Sequence, residues 1–388
     1  MDGVQSSAAI RVAEFPERLL PLRERLLANL VMIGQTPAPT GDEAQRVQLM
    51  LDRFDEARLP EVEVDEFGNA VGTLPGTRGD RTIAVVAHLD SIFPATVDHN
   101  VRVERETIVG PGVGDNAVGA AVVSMLPTIL ESLGIRLAAN LVLLGSTRSM
   151  GRGNHEGIRL HLDKSARQLD FGIVVEGMQL GRLNYFSIGA LRGDIVCDVP
   201  AERAGAFGAE SALVAMNQIS NGIMAIGVPN QPATRIRLGK IRAGVGYDTN
   251  PDHAVLGIEV ISNSDEILAR IRQDIEDVVA EMSAHHAVEA RTDFFFSRPA
   301  VGIPFSHPLV RAVVNVMREL DIEPDQTHEP SELAEFISRE IPAVTLGVTR
   351  GLRGLNQPDH VMIEPILKGV AQLLGVILAI DEGACDVD

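Results

Sequence analysis

The feature that most constrains the fold is an alternation. Short apolar runs, "TIAVVAHLD" (82–90), "NLVLLGS" (140–146), "FGIVVEG" (171–177) and "IPAVTLGV" (341–348), recur between stretches of helical periodicity. Runs of this length, rich in Val and Ile, read as strands buried on both faces. Their alternation with helices predicts an α/β fold with a mixed, largely parallel sheet covered on both sides. Leu19, Leu22, Leu26 and Leu30 mark one helix by their spacing. Thr40 with Glu43 reads as a capping box opening a second, with Val47, Met50, Leu51 and Phe54 turned inward. A third helix is expected over 117–133 and a last one in "ILKGVAQLLGVILAI".

The rhythm changes between 190 and 293. Strand-like "ALRGDIVCDV", helical "SALVAMNQISNGI", two further strands and the helix "DEILARIRQDIEDVVAEM" describe a small split β-α-β unit, ferredoxin-like, inserted into a larger domain. The expected boundaries are 1–189 and 294–388 for the interrupted domain and 190–293 for the insertion.

Net charge decides what such a chain does not bind. At -19 it is a poor match for nucleic acid or an anionic membrane surface, though not for a small anionic substrate met by local Arg. The start shows no basic segment followed by an apolar one, and no apolar run approaches the roughly 18 residues that span a bilayer. Two cysteines fit a reducing, cytoplasmic setting.

Open α/β sheets bind ligands beyond the carboxyl ends of their strands. There the sequence places His88 and Asp90 in "VVAHLDS", Asp115 in "GPGVGDNAVGAA", Glu176 in "GIVVEG" and His360 in "LNQPDHVMIEP". Taken singly each is ordinary: an H-x-D pair is usually a satisfied contact, and an acid before a helix is usually an N-cap. Together, one imidazole and two carboxylates suit a divalent transition metal. Asp90 is placed to hold the His88 ring in its ligating tautomer. By contrast, "LVLLGSTRSMGRGN" (141–154) offers no carboxylate, thiol or imidazole where such a fold commonly puts catalytic groups.

In "GNAVGTLPG", "AHLDSIFP", "GPGVGDNAVGAA", "LGKIRAGVG" with Pro251 beyond it, and "IPAVTLGV", the chain resembles the metallopeptidase family of aminoacylase, carboxypeptidase G and peptidase T over nearly all its length. The resemblance implies a zinc-peptidase-like catalytic domain interrupted by a lid that commonly mediates dimerisation, hence a homo-oligomer. It also implies two metals bridged by Asp115, one held with His88 and Glu176, the other with a second Glu and a late His that falls on His360. The family's Glu-Glu pair, general base and second-metal ligand, falls on Ser149 and Met150. Its substrate-reading lid Arg falls on Ile261 and an Asn on Asp248, and its lid His has no clear match in "PAERAGAFG". An Arg-Pro position that binds substrate carboxylate is kept at Arg298.

These departures imply one firmly held divalent metal (Mn, Zn or Co) at His88, Asp115 and Glu176, with His360 a weaker ligand. Asp90, Ser149 and His360 are the expected catalytic groups, and Arg298 and Met150 the substrate contacts. The preferred reaction is hydrolytic removal of an amino group from an electron-poor aromatic acid. The competing readings are an amidase or dipeptidase whose base moved to His155 or Glu156, and a metal-binding relative without catalysis.

Overall fold

The computed structural model describes residues 11–165, 167–202, 211–354 and 357–387. The chain forms two compact units, Met1–Phe186 with Gly302–Asp388, and Ser187–Val301. The first is built on a seven-stranded sheet in the order Glu61–Val64, Ala70–Leu74, Asn140–Ser146, Thr82–His88, Phe171–Glu176, Ala343–Gly347, Leu183–Asn184. The four strands from Asn140–Ser146 to Ala343–Gly347 run parallel, and the flanking ones pair antiparallel. The sheet is thus mixed and largely parallel, as the apolar runs imply.

Register sets the site. His88 lies opposite Ser146, and Glu176 opposite Gly347, so the four parallel strands finish along one edge. Alternate residues serve two layers. Val85 and Ile173 belong to the large core with Phe54, Leu126 and Val370, while Val86 and Val174 pack with Ile158 and Phe336 on the other face. Sequence runs are uniformly apolar because neither face meets water.

The helix Val118–Leu133 packs tightly on this sheet. A Cβ at Gly119 would stand 2.3 Å from Asn116 Oδ1 and 2.7 Å from Val175 O, so only Gly admits that approach. The stretch Val113–Leu133 corrects one sequence expectation, since by length and composition alone it could cross a membrane. Here 89% of its apolar window is buried inside the protein, as a core helix is.

The second unit is a four-stranded antiparallel sheet, Thr234–Ala243, His253–Ser262, Gly189–Asp198, Glu289–Arg298, with the helices Ala212–Met224 and Asp265–His286. Ile195, Ile219, Leu256, Ile271 and Ile275 close its own core. This is the βαββαβ arrangement of a ferredoxin-like unit. Its limits are wider than the change of rhythm suggests, and they take in Arg298. Most of "PAERAGAFG" (200–208), where the resemblance finds no match to a lid His, lies outside the described residues.

The capping box is a second correction. The helix begins at Ala44, and Thr40 Oγ1 donates instead to Asp90 Oδ2 at 2.8 Å, while Glu43 Oε1 accepts from the backbone N–H of Gly41 and Arg148. A local pattern has been recruited by a distant partner. From the same helix Arg46, 1% exposed, donates to Thr36 O (2.7 Å) and Leu89 O (2.8 Å), pinning the turn that carries Asp90. Burial lowers its pKa to about 10, partly opposed by the charge of Asp90. Arg46→Met would strand two buried carbonyls. Urea denaturation should show a loss of roughly 2–4 kcal/mol, the cost of leaving such groups unpaired; an unchanged midpoint would contradict this role.

Candidate metal centre

Three chain segments bring the ligand-type groups together. His88 ends the strand Thr82–His88 and Glu176 ends Phe171–Glu176. Asp115 sits in the turn after Thr107–Gly110, which opens at Gly112 with φ 66°, a conformation that favours glycine. Asn116 fixes this turn by donating to Val175 O at 2.8 Å and accepting from the Gly119 N–H. Among the described residues, His88, Asp115 and Glu176 form the one group whose donor atoms all lie within 4.8 Å of one another. One neutral imidazole and two carboxylates make a donor set suited to a divalent cation of borderline hardness.

The ring of His88 is held from behind. Its Nδ1 lies 3.1 Å from Asp90 O and 3.4 Å from Asp90 Oδ1, leaving Nε2 to face Asp115 Oδ1 at 3.0 Å. Asp90, fully buried, is anchored in turn by Thr40 Oγ1 and by the Met150 backbone N–H at 2.7 Å. The main-chain carbonyl of Asp90 therefore orients the imidazole, and its anchored carboxylate adds negative charge beside the ring. Met150 enters this network through its main chain.

Electrostatics follow the crowding. Burial alone would lower the His88 pKa, but bonds to Asp115 and Asp90 and the charge of Glu176 hold it well above the ordinary range. Burial pushes Glu176 up, with Asp115 and Glu332 acting in the same sense against His88 and Arg182. Asp115, despite burial, is held low by His88, Arg353 and Arg182. The site demands positive charge.

Ser149 is 4% exposed, and its hydroxyl donates to Glu332 Oε1, as does that of Ser146 at 2.9 Å. Glu332 is a residue that the sequence reading missed. It precedes the short helix Leu333–Ile337, yet its carboxylate reaches the end of the Asn140–Ser146 strand and leaves Oε2 buried without a partner. The expected substitutes for a base are engaged elsewhere: His155 Nδ1 lies 3.4 Å from Glu335 Oε1, and Glu156 pairs with Arg148.

His360 is not one of the three grouped donors. It lies exposed on the strand Asp359–Met362, whose pleat turns Asp359 inward instead. Asp359 accepts from Gly114 N and Gly354 N, each at 3.1 Å, and so ties the Asp115 turn to the Arg353 loop. Arg353 Nη2 is 2.6 Å from Asp115 Oδ2. Arg298 ends Glu289–Arg298 in the second unit, where it donates to Ser297 O and its guanidinium lies 5.2 Å from the Phe296 ring centre. Ile261 and Asp248 also belong to that unit, the first paired with Ala190 and the second exposed in a loop.

Comparisons with known proteins agree with this architecture. Residues 69–147 match peptidase family M28. A tripeptidase from Staphylococcus aureus superposes with a TM-score of 0.72 at 17% identity, over 93% of this chain and 99% of that one. A dipeptidase from Saccharomyces cerevisiae gives 0.78 at 12% identity, over 96% and 98%. A dinuclear metal-binding peptidase of the M20 family from Bacillus subtilis gives 0.63 at 14%, over 93% and 98%. No curated protein matches the chain by sequence. The two-unit chain therefore has the fold of these peptidases.

The role of the Asp90 carboxylate is testable. Asp90→Asn keeps the main-chain carbonyl that bonds the ring and removes the charge beside it, so metal stoichiometry should be retained while affinity falls about tenfold, the low end of the usual effect of altering a partner of a ligating His. Titration calorimetry with Mn²⁺ or Zn²⁺ measures it, and unaltered affinity would exclude the role.

Proposed function

We propose that this chain is a metal-dependent hydrolase of carbon–nitrogen bonds, working through one divalent ion on a small anionic substrate. The observation that carries the reading is the His88, Asp115, Glu176 cluster at the carboxyl edge of the parallel strands. His88, Asp115 and Glu176 would hold a divalent ion, which when bound would make water acidic enough to serve as the nucleophile near neutrality. The similarity of fold to metal-binding peptidases supports the same class of chemistry.

Within that class we favour an electron-poor aromatic amine, with 5-nitroanthranilate the leading candidate. Loop 147–153 presents no carboxylate or imidazole to move protons for a poor leaving group. A substrate that takes up charge internally needs less of that help. In such a reaction water oxygen bonds to the ring carbon bearing the amine, and the nitro group para to it holds the electron pair. The C–N bond then breaks, giving 5-nitrosalicylate and ammonia. The chain's part is to orient the ring carboxylate and hold the reacting carbon at the cluster.

Glu332 supports a second reading, hydrolysis of an amide or dipeptide. Its buried carboxylate at Ser149 would accept the water proton that the loop itself has no group to take.

Metal-loaded protein incubated with 5-nitroanthranilate, N-acyl amino acids and dipeptides separates the two. Ammonia and nitrosalicylate from the first substrate alone are expected. Cleavage of dipeptides without ammonia from the aryl amine would replace the first reading by the second, and Glu332→Gln should then cost 10²–10⁴-fold in kcat. His88→Ala should abolish either activity together with metal binding; full turnover by that variant would end both.

A further inference from the structure

We propose that Arg353 occupies the Oδ2 atom of Asp115, and that its guanidinium receives the substrate's carboxylate. The assignment deepens the proposed function and rests on a metal at His88, Asp115 and Glu176.

Asp115 divides its two oxygens. Oδ1 faces His88 Nε2 at 3.0 Å, on the side of the ligand cluster, and Oδ2 faces Arg353 Nη2 at 2.6 Å. A carboxylate that bridges two metals needs both oxygens free for them. Here one is taken by a fixed positive charge, which neutralises Asp115 and repels a further divalent ion. Among the described residues no other group of three His, Cys, Asp or Glu donors lies close enough to hold one.

The arrangement is built rather than incidental. Asp359 accepts from Gly114 N, next to Asp115, and from Gly354 N, next to Arg353, so one buried side chain sets the spacing of both partners. Arg182 adds positive potential at Asp115 and Glu176, while its Nε and Nη2 bond Gln179 and Glu329 and no ion pair joins it to either cluster carboxylate. Arg353 differs. Its side chain is 47% exposed, and the Asp115 contact uses one of its five N–H donors. A planar fork anchored at one corner and open at the other is suited to grip a carboxylate in two-pronged fashion. An acid bound there would lie beside Asp115. Selection for acids would then arise inside the catalytic unit, independently of Arg298.

The test uses Mn²⁺-loaded full-length protein and benzoate as the probe, by titration calorimetry, with metal content measured on the same samples. Wild type should hold one metal per chain and bind benzoate. Arg353→Met should keep one metal and an unchanged melting temperature while benzoate affinity falls at least tenfold. Arg353→Lys, retaining charge without the fork, should fall between them. Equal benzoate affinity in wild type and Arg353→Met, or no benzoate binding by wild type, overturns the assignment and leaves the hydrolase reading standing. Two metals per wild-type chain also overturn it. A wild type that holds no metal removes the reading on which the assignment rests.

Discussion

Two carboxylates share a buried corner with an imidazole, and the rest of the centre answers the cost of that placement. Burial raises the pKa of both Asp115 and Glu176, and Asp115 adds to the rise at Glu176, while neighbouring positive charge opposes it at each. His88 supplies part of that charge, and Arg353 and Arg182 supply more from the solvent side. Beneath, Asp90 steadies His88 and draws its own support from Thr40, the Met150 main chain and the field of buried Arg46. A divalent cation suits a corner already organised around the need for positive charge.

That charge balance links the fold to the chemistry. The parallel strands deliver His88 and Glu176 to one edge because their register aligns their ends, and the Gly112 turn brings Asp115 across from another segment. Helix packing that admits only Gly at 119 holds the turn in place. Small shifts there would alter ligand spacing directly, which is why apparently structural residues such as Asn116 and Asp359 bear on function.

The loop without acids acquires a different meaning in three dimensions. "STRSMGRGN" has not simply lost a carboxylate, since Glu332, 183 residues further along, places one against Ser149. Meanwhile the outer oxygen of Asp115 meets an arginine. Both set where charge sits around the His88, Asp115, Glu176 cluster, one at the strand end and one at the turn.

The sequence by itself determined the layered α/β architecture, the ferredoxin-like insertion, and the candidate ligands His88, Asp115 and Glu176. These are legible because strand burial, helical periodicity and residues at strand ends are local patterns. Tertiary structure alone decided that Thr40 serves Asp90 rather than a helix cap, and that the strand Asp359–Met362 turns Asp359 inward and His360 out. It alone disclosed Glu332, Arg353, Arg182 and Arg46. Each acts on groups many residues away, through charge and unpaired hydrogen-bonding capacity in a buried space. No spacing along a chain records such a partnership, because it exists only once folding has excluded water and made every uncompensated polar atom costly.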